Sequence, residues 1–159
     1  MKDAIVKWML TLMEARKELS GLPICPYARQ AYLANTYDIR PTNYDSIEKD
    51  ISSCDLSKYQ VVVCYYEDYA KHTTDQLVDK TKQLNRMYNT SDIVVLDNDP
   101  RDPLVLNGIQ TTFDGCYLWI IQPMEDLNNK AEQLRKTKYY DHWTQEQLDE
   151  VVTWRIKSK

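Results

Sequence analysis

The stretch Tyr59-Gln60-Val61-Val62-Val63-Cys64-Tyr65-Tyr66 decides the fold class of this chain. Its middle is β-branched, and apolar residues stand at both odd and even positions. A strand with one face in water would instead alternate between apolar and polar residues. The stretch therefore predicts a central strand in a sheet that carries helices on both faces.

Elements on either side of this strand extend the same pattern. Alternation of side-chain character predicts a brief strand at Tyr37 to Arg40, and apolar runs predict strands at Asp92 to Asp97 and Cys116 to Gln122. Helical spacing of apolar residues predicts helices between these strands, and two of the helices begin at capping boxes, Thr73 with Gln76 and Thr144 with Gln147. We therefore predict one α/β domain over residues 1–159, an α+β sandwich with a mixed sheet of about four strands and extra N- and C-terminal helices.

The N-terminal region predicts two helices with a cysteine at their junction. Apolar residues recur at helical spacing from Ile5 to Leu19, and Gly21 follows them as a left-handed cap would. Pro26 suits the first position of a second helix, which places Cys25 at the N-cap.

Cys25 at a helix N-terminus is a candidate nucleophile. Free amide donors and the helix dipole favour its thiolate and are expected to lower its pKa, and Arg29 is a cation close by in sequence. The alternative interpretation is a small buried residue packed under the start of the helix.

The residues around Cys25 carry two resemblances. Cys25-Pro26-Tyr27, followed by Ala31 and Leu33, resembles the Cys-Pro-Tyr-Cys helix start of glutaredoxins, with Ala28 at the place of the second cysteine. This resemblance implies a thiol-dependent redox protein that uses Cys25, with Tyr27 beside it. From residue 36 onward, the order strand, helix, strand, helix, strand, strand, helix is also similar to that of the thioredoxin fold, although Cys25 then precedes its first strand.

The second resemblance covers more of the chain. A helix around Trp8 followed by Ile24-Cys25-Pro26-Tyr27-Ala28 resembles an uncharacterised bacterial family that carries a Leu-Cys-Pro-Phe-Ala signature. Residues 92 to 135 are similar in the order of their elements to that family. The resemblance implies a shared fold and no known activity.

An acidic connection is the second candidate site. Asp97-Asn98-Asp99-Pro100-Arg101-Asp102-Pro103 opens a link of about 18 residues that leaves the end of a predicted strand, where α/β proteins often place ligands. Asp97, Asp99 and Asp102 offer oxygen ligands for a divalent cation, but their spacing matches no calcium loop. We therefore assign no metal ligands and keep these aspartates, Arg101 and Asn107 as candidate binding residues. The pair Asn107-Gly108 predicts a hairpin within the link.

Composition excludes several partners. The net charge is −4 with no basic stripe, so we expect no nucleic acid, and no apolar run is long enough to suggest a membrane segment. The 4 cysteines are widely spaced and follow no secretory signal, which predicts free thiols and a cytoplasmic location. The chain shows no cofactor fingerprint, and we expect no cofactor.

Three hypotheses for function remain open. The first is a non-catalytic binding or interaction protein, with a protein partner or a homo-oligomer as its target, because 12 tyrosines and 4 tryptophans accompany only 1 phenylalanine. The second is a thiol-dependent redox protein that uses Cys25. The third is a divalent-metal-dependent hydrolase built on Asp97, Asp99 and Asp102.

Overall fold

The structure is a computed structural model, and it describes residues 1–157. Its α-helices are α1 (Lys2–Leu12), α2 (Pro26–Leu33), α3 (Ile47–Ser52), α4 (Thr74–Tyr88), α5 (Met124–Arg135), α6 (Gln145–Leu148) and α7 (Trp154–Lys157). Its strands are β1 (Ala15–Arg16), β2 (Leu22–Pro23), β3 (Tyr37–Pro41), β4 (Val61–Tyr66), β5 (Ile93–Asn98), β6 (Val105–Leu106), β7 (Ile109–Gln110) and β8 (Tyr117–Pro123). This mixture of helices and strands is the α+β class that the sequence predicts.

The main sheet has four strands in the order β3-β4-β8-β5. β3 and β4 are parallel, whereas β8 is antiparallel to both β4 and β5. β4 is thus internal, and Val62, Val63 and Cys64 in its middle are buried. The predicted mixed sheet, with a central strand covered on both faces, is confirmed.

Helices cover both faces of this sheet. On one face, α3 and α4 pack against a cluster that includes Val62, Cys64 and the fully buried Trp119. On the other face, α1 and α2 pack against Val61 and Val63, and α5 packs against Val94 through Met124 and Leu127. The cavity described below lies on this second face.

The order of the elements along the chain agrees with the prediction. β3, α3, β4, α4, β5, β8 and α5 follow one another as strand, helix, strand, helix, strand, strand and helix, with the short β6 and β7 before β8. Across the sheet, β3 and β5 lie at the edges and β4 and β8 lie inside. The likeness to the thioredoxin fold rests on the order along the chain and stays a prediction.

The first helix is shorter than the sequence predicts. α1 ends at Leu12, and β1 and β2 then form a small antiparallel hairpin. Its turn includes Ser20 and Gly21, whose φ angles are 58° and 78°. Leu19 enters the core from a 3-10 turn inside this hairpin. The apolar repeat from Ile5 to Leu19 therefore spans two elements, and the prediction that Gly21 caps a long helix is wrong.

The predicted hairpin is present in the link between β5 and β8. It joins β6 to β7 through Asn107 and Gly108, whose φ angles of 47° and 84° suit a two-residue hairpin turn. The Asn107 Nδ2 donates a hydrogen bond to the Glu18 carbonyl over 2.7 Å, and the Gln147 Nε2 donates one to the Val105 carbonyl over 2.7 Å. The hairpin is thereby tied both to the N-terminal hairpin and to α6.

The C-terminal segment begins as predicted and then changes geometry. Thr144 and Gln147 form the predicted capping box at the start of α6. Between α6 and α7, however, Asp149–Thr153 form a π-helical turn, a rare element that is frequent at functional sites. No helix within residues 1–157 combines the length and the apolar character that crossing a membrane requires.

Candidate functional site

A cavity of about 390 Å³ lies between the main sheet and the helices on its α1 side. Strand residues form its floor, among them Val61, Val63, Leu96, Ile120 and Gln122. Its walls come from α1, α2, α5, the link that contains β6 and the segment 139–155, and they include Trp8, Met9, Leu12, Ala28, Ala31, Leu106, Leu127, Tyr140, Trp143 and Val152. Thr74 and Val78 of α4 also line it. A mostly apolar lining and a volume within about 300–1,000 Å³ are typical of small-molecule pockets.

Hydrogen bonds hold these walls together. The Trp8 indole Nε1 donates to the Thr111 carbonyl over 2.9 Å, which joins α1 to the link between β5 and β8. The Tyr139 hydroxyl donates to the Ile24 carbonyl, which joins the C-terminal segment to the start of α2. The walls are far apart in sequence, so the cavity exists only in the folded chain.

Three buried polar atoms of cavity residues have no hydrogen-bond partner within residues 1–157. They are the Tyr27 hydroxyl on α2, Oε1 of Gln60 just before β4 and Nε of Arg155 on α7. Buried polar atoms in folded proteins nearly always have partners, so each exception requires an explanation. Because these three atoms belong to residues that line one cavity, they are candidates for contact with a molecule inside it.

Arg155 is the most unusual of these residues. It is only 2% exposed, and it forms no ion pair with any carboxylate of the described chain. Burial lowers the pKa of its guanidinium, and the phenol groups of Tyr140 and Tyr27 are close enough to oppose this effect. The π-helical turn lies directly before α7, the helix that carries Arg155. A buried cation without a counter-ion is costly, which makes it a candidate for binding an anion.

Lys130 supplies a second cation near the same residues. Its Nζ lies 5.5 Å from the centre of the Tyr27 ring and 2.9 Å from Oδ2 of Asp126, and its side chain is 16% exposed. Lys130 is therefore already paired with a carboxylate. Arg155 is the cavity cation that lacks such a partner within residues 1–157.

Cys25 lies in the cavity wall as the N-cap of α2, the position that the sequence predicts. The predicted direction of its pKa shift is wrong. Burial is the larger effect and raises the pKa of the Cys25 thiol, whereas the backbone N–H groups of Ala28 and Tyr27 and the charge of Lys130 lower it by less. Arg29, the cation expected to stabilise the thiolate, is exposed to solvent. Burial therefore disfavours the thiolate, the form that a nucleophilic cysteine needs.

The acidic link contributes to the same cavity. Asp97, Asp99 and Asp102 are among its lining residues. Asp97 is in register with Trp119, so its side chain lies on the α4 face of the sheet, opposite the face on which Cys25 lies. Two of the three aspartates already have partners. Asp99 receives hydrogen bonds from the Arg101 Nε and Nη2, each over 2.9 Å, and Asp97 accepts one from the Tyr117 hydroxyl over 3.2 Å.

The electrostatics of these aspartates differ. Burial would raise the pKa of Asp99, but its hydrogen bonds and charge pairing with Arg101 outweigh burial and lower it. Burial of the carboxyl group raises the pKa of Asp97 although the residue keeps accessible surface, and the hydrogen bond from Tyr117 acts against this rise. Within residues 1–157, no three His, Cys, Asp or Glu side chains are arranged to hold a metal ion.

The remaining predicted binding residues have structural contacts. The Arg101 Nη1 also donates to the His72 carbonyl over 2.8 Å, and its guanidinium lies 5.1 Å from the centre of the Tyr69 ring. Asn107 forms the hairpin turn and its bond to Glu18. Both residues fix the link that forms part of the cavity wall.

The two cavity cations, Lys130 and Arg155, and Gln60 are not among the site residues predicted from the sequence. Lys130 stands beside Leu127 and Ala131 on α5, and Arg155 follows Val152 by three positions, so each adjoins an apolar face. A basic residue at such a position is the signal that points to a buried charge. Gln60 is polar at the edge of the most apolar strand, which is a weaker signal.

The fold and the site together define an α+β protein with an internal, mostly apolar cavity that holds an unpaired cation. Comparisons of the chain with family models, curated proteins and solved structures found no match. The resemblances to glutaredoxins and to the family with the Leu-Cys-Pro-Phe-Ala signature stay predictions.

Proposed function

We propose that this protein binds a small molecule in the cavity and does so without catalysis. The observation that carries this proposal is the combination of an apolar cavity of about 390 Å³ with three unpartnered polar atoms in its wall. Ligand pockets commonly pair a large apolar surface with a few polar groups that fix orientation. The proposal keeps the non-catalytic binding of the first hypothesis from the sequence and replaces its protein target with a small molecule.

The aromatic side chains support a ligand inside the protein. Trp8, Tyr27, Tyr140 and Trp143 all line the cavity, and Trp119 is fully buried in the opposite layer. These residues therefore have roles in the interior, where aromatic rings offer large apolar contact areas. A protein partner or a homo-oligomer stays a prediction from composition.

The two catalytic alternatives receive less support. A thiol-dependent redox protein needs a reactive thiolate, but burial raises the pKa of Cys25, and the other cysteines of the chain are also free thiols. A metal-dependent hydrolase needs carboxylates free to bind a cation, but Asp99 is paired with Arg101. Non-catalytic binding requires neither condition.

Nile red, a neutral dye whose fluorescence rises in apolar surroundings, tests the proposal. We expect saturable binding to the wild-type protein with a stoichiometry of one. Ala28→Leu places a larger side chain in the cavity wall and should abolish this binding, whereas Ala34→Leu adds the same group at the exposed end of α2 and should not.

Cooperative thermal melting must first show that both variants fold. Val151→Phe, which narrows the cavity from the C-terminal wall, replaces Ala28→Leu if that variant does not fold. The proposal would be contradicted if Nile red showed no saturable binding to the wild type. It would also be contradicted if the dye bound equally well to the wild type and to the folded variant with the larger side chain in the cavity wall, Ala28→Leu or Val151→Phe.

A further inference from the structure

We infer that the ligand is an amphipathic carboxylate, whose head contacts Arg155 and whose apolar body lies along the inner face of the sheet. This inference rests on the proposed function, because it names the class of molecule that the cavity binds. It follows from the position of the buried Arg155 guanidinium and from the distribution of polar and apolar groups around that guanidinium.

The need for an anion follows from the burial of Arg155. An arginine side chain stays protonated in proteins, and at 2% exposure it has lost nearly all contact with bulk water. No Asp or Glu of residues 1–157 pairs with it, and its Nε has no acceptor there. Of the carboxylates that also line the cavity, Asp102 and Glu150 are exposed, Asp99 is paired with Arg101, and Asp97 accepts a hydrogen bond from Tyr117 on the opposite face of the sheet. A ligand anion would therefore supply the missing counter-charge.

The balance of charges in the cavity favours a carboxylate over a phosphate monoester. The planar guanidinium of Arg155 matches the two oxygens of a carboxylate, and the buried hydroxyl of Tyr27, which lies close to that of Tyr140, is a further donor near it. Lys130 is already neutralised by Asp126, so one positive charge remains for the ligand. The single negative charge of a carboxylate balances this positive charge. A phosphate monoester near neutral pH carries close to two negative charges.

The rest of the cavity fits an apolar body. Tyr27, Leu96 and Leu127 belong to the cluster near Arg155, and Leu12 and Leu106 belong to a second cluster at the ends of α1 and the hairpin. Both clusters line the same cavity. A ligand with its head at Arg155 therefore meets apolar side chains in the direction of α1.

Calorimetric titration with a matched series tests this inference. Decanoate, decanol and decyl phosphate share one apolar chain and differ in the head group, and each is used below its micelle concentration. We expect decanoate to bind most tightly to the wild-type protein. Because hydrogen bonds to charged groups contribute about 1.5–3 kcal/mol, Arg155→Met should weaken decanoate binding by about 10- to 100-fold and leave decanol binding unchanged.

Two further variants separate charge from geometry. Arg155→Lys keeps the positive charge but loses the planar guanidinium that can donate two parallel hydrogen bonds. Its affinity for decanoate should therefore lie between those of the wild type and Arg155→Met. Arg29→Met removes an exposed cation from the same region of the chain and should bind like the wild type. Without ligand, Arg155→Met should melt at a higher temperature than the wild type, because it removes a buried charge that lacks a counter-ion.

The outcomes that overturn the inference differ from those that overturn the proposed function. Equal affinities for decanol and decanoate, with no effect of Arg155→Met, would refute an anionic head group but keep the cavity as a binding site. Tighter binding of decyl phosphate, with the same dependence on Arg155, would refute the choice of carboxylate. Failure of all three compounds and of Nile red to bind would refute the proposed function itself.

Discussion

The side-chain amide of Asn98 makes both hydrogen bonds that a neighbouring strand would make to Phe113. Its Nδ2 donates to the Phe113 carbonyl over 3.0 Å, and its Oδ1 accepts from the Phe113 N–H over 2.9 Å. Both residues are buried, at 9% and 5% exposure. The pair closes the link between β5 and β8 at its base and so fixes one wall of the cavity.

A second asparagine does the same at the edge of the sheet. The Asn85 side chain on α4 donates to the Val95 carbonyl over 2.8 Å and accepts from the Val95 N–H over 2.8 Å. Because β5 is an edge strand, these backbone groups have no strand partner on that side. The amide of Asn85 satisfies them and leaves less of the edge free for pairing with another chain.

Replacing Asn98 with alanine should destabilise the protein. The change leaves the buried N–H and carbonyl of Phe113 without partners, and we expect the free energy of unfolding to fall by about 1–3 kcal/mol. Urea unfolding followed by circular dichroism measures this loss. Asn129→Ala, at an exposed position of α5, is the control and should stay within about 0.5 kcal/mol of the wild type. Equal losses in the two variants would show that the Asn98 amide contributes nothing specific.

Much of the fold could be predicted because its signals are local. β4 and β8 are apolar on both faces, and capping boxes mark the starts of α4 and α6. The hairpin of β1 and β2 could not be predicted in this way, since each strand has only two residues and its apolar side chains repeat at helical spacing. Strand order is likewise invisible in the sequence, because it depends on which distant strands pair.

The site was less predictable than the fold for a physical reason. Cys25 was recognisable as a reactive residue type, but that it lines one cavity with Arg155 depends on the packing of distant segments. Burial then reverses the expected pKa shift of Cys25. Arg155 looks like an ordinary polar residue of an amphipathic helix, and the π-helical turn that precedes it shows only in the backbone hydrogen bonds.

The buried phenols predict a loss of stability at high pH. Burial raises the pKa of Tyr117 and of Tyr139 well above the ordinary value, so both stay protonated in the folded protein and ionise first in the unfolded chain. The folded state then holds more protons, and the free energy of unfolding must fall as pH rises above about 10. Each such group contributes a slope of about 1.4 kcal/mol per pH unit.

Urea unfolding from pH 8 to pH 11 measures this slope in the wild type and in Tyr117→Phe. Near neutral pH, Tyr117→Phe should be less stable than the wild type, because the hydrogen bonds of the Tyr117 hydroxyl with Thr81 and Asp97 are lost. Above a pH of about 10, the difference between the two proteins should shrink as the wild type loses stability faster. A constant difference across this range would contradict the raised pKa of Tyr117.

Replacing Asn107 with glycine should loosen the hairpin without changing its turn. Glycine accepts the positive φ angle of 47°, but it removes the hydrogen bond to Glu18. We expect a loss of about 0.5–1.5 kcal/mol in the free energy of unfolding and faster amide hydrogen exchange in residues 104–112. Exchange in β4 serves as an internal control and should not change. Unchanged protection of residues 104–112 would show that the bond to Glu18 does not hold the hairpin.

Cys25 should react slowly with iodoacetamide, and a ligand in the cavity should slow it further. Because burial raises its pKa, less thiolate is present near neutral pH than in an unfolded chain, so the labelling rate should fall below that of the urea-unfolded protein. Cys54 is also half-buried, but it packs against the opposite face of the sheet, and it provides a control within the same molecule. Peptide mass spectrometry after timed labelling measures the labelling rate of both cysteines.

We expect decanoate to protect Cys25 from labelling and to leave the labelling rate of Cys54 unchanged. Fast labelling of Cys25 with an inflection well below the ordinary thiol pKa would restore the nucleophile hypothesis, and equal protection of both cysteines would place the ligand outside the cavity.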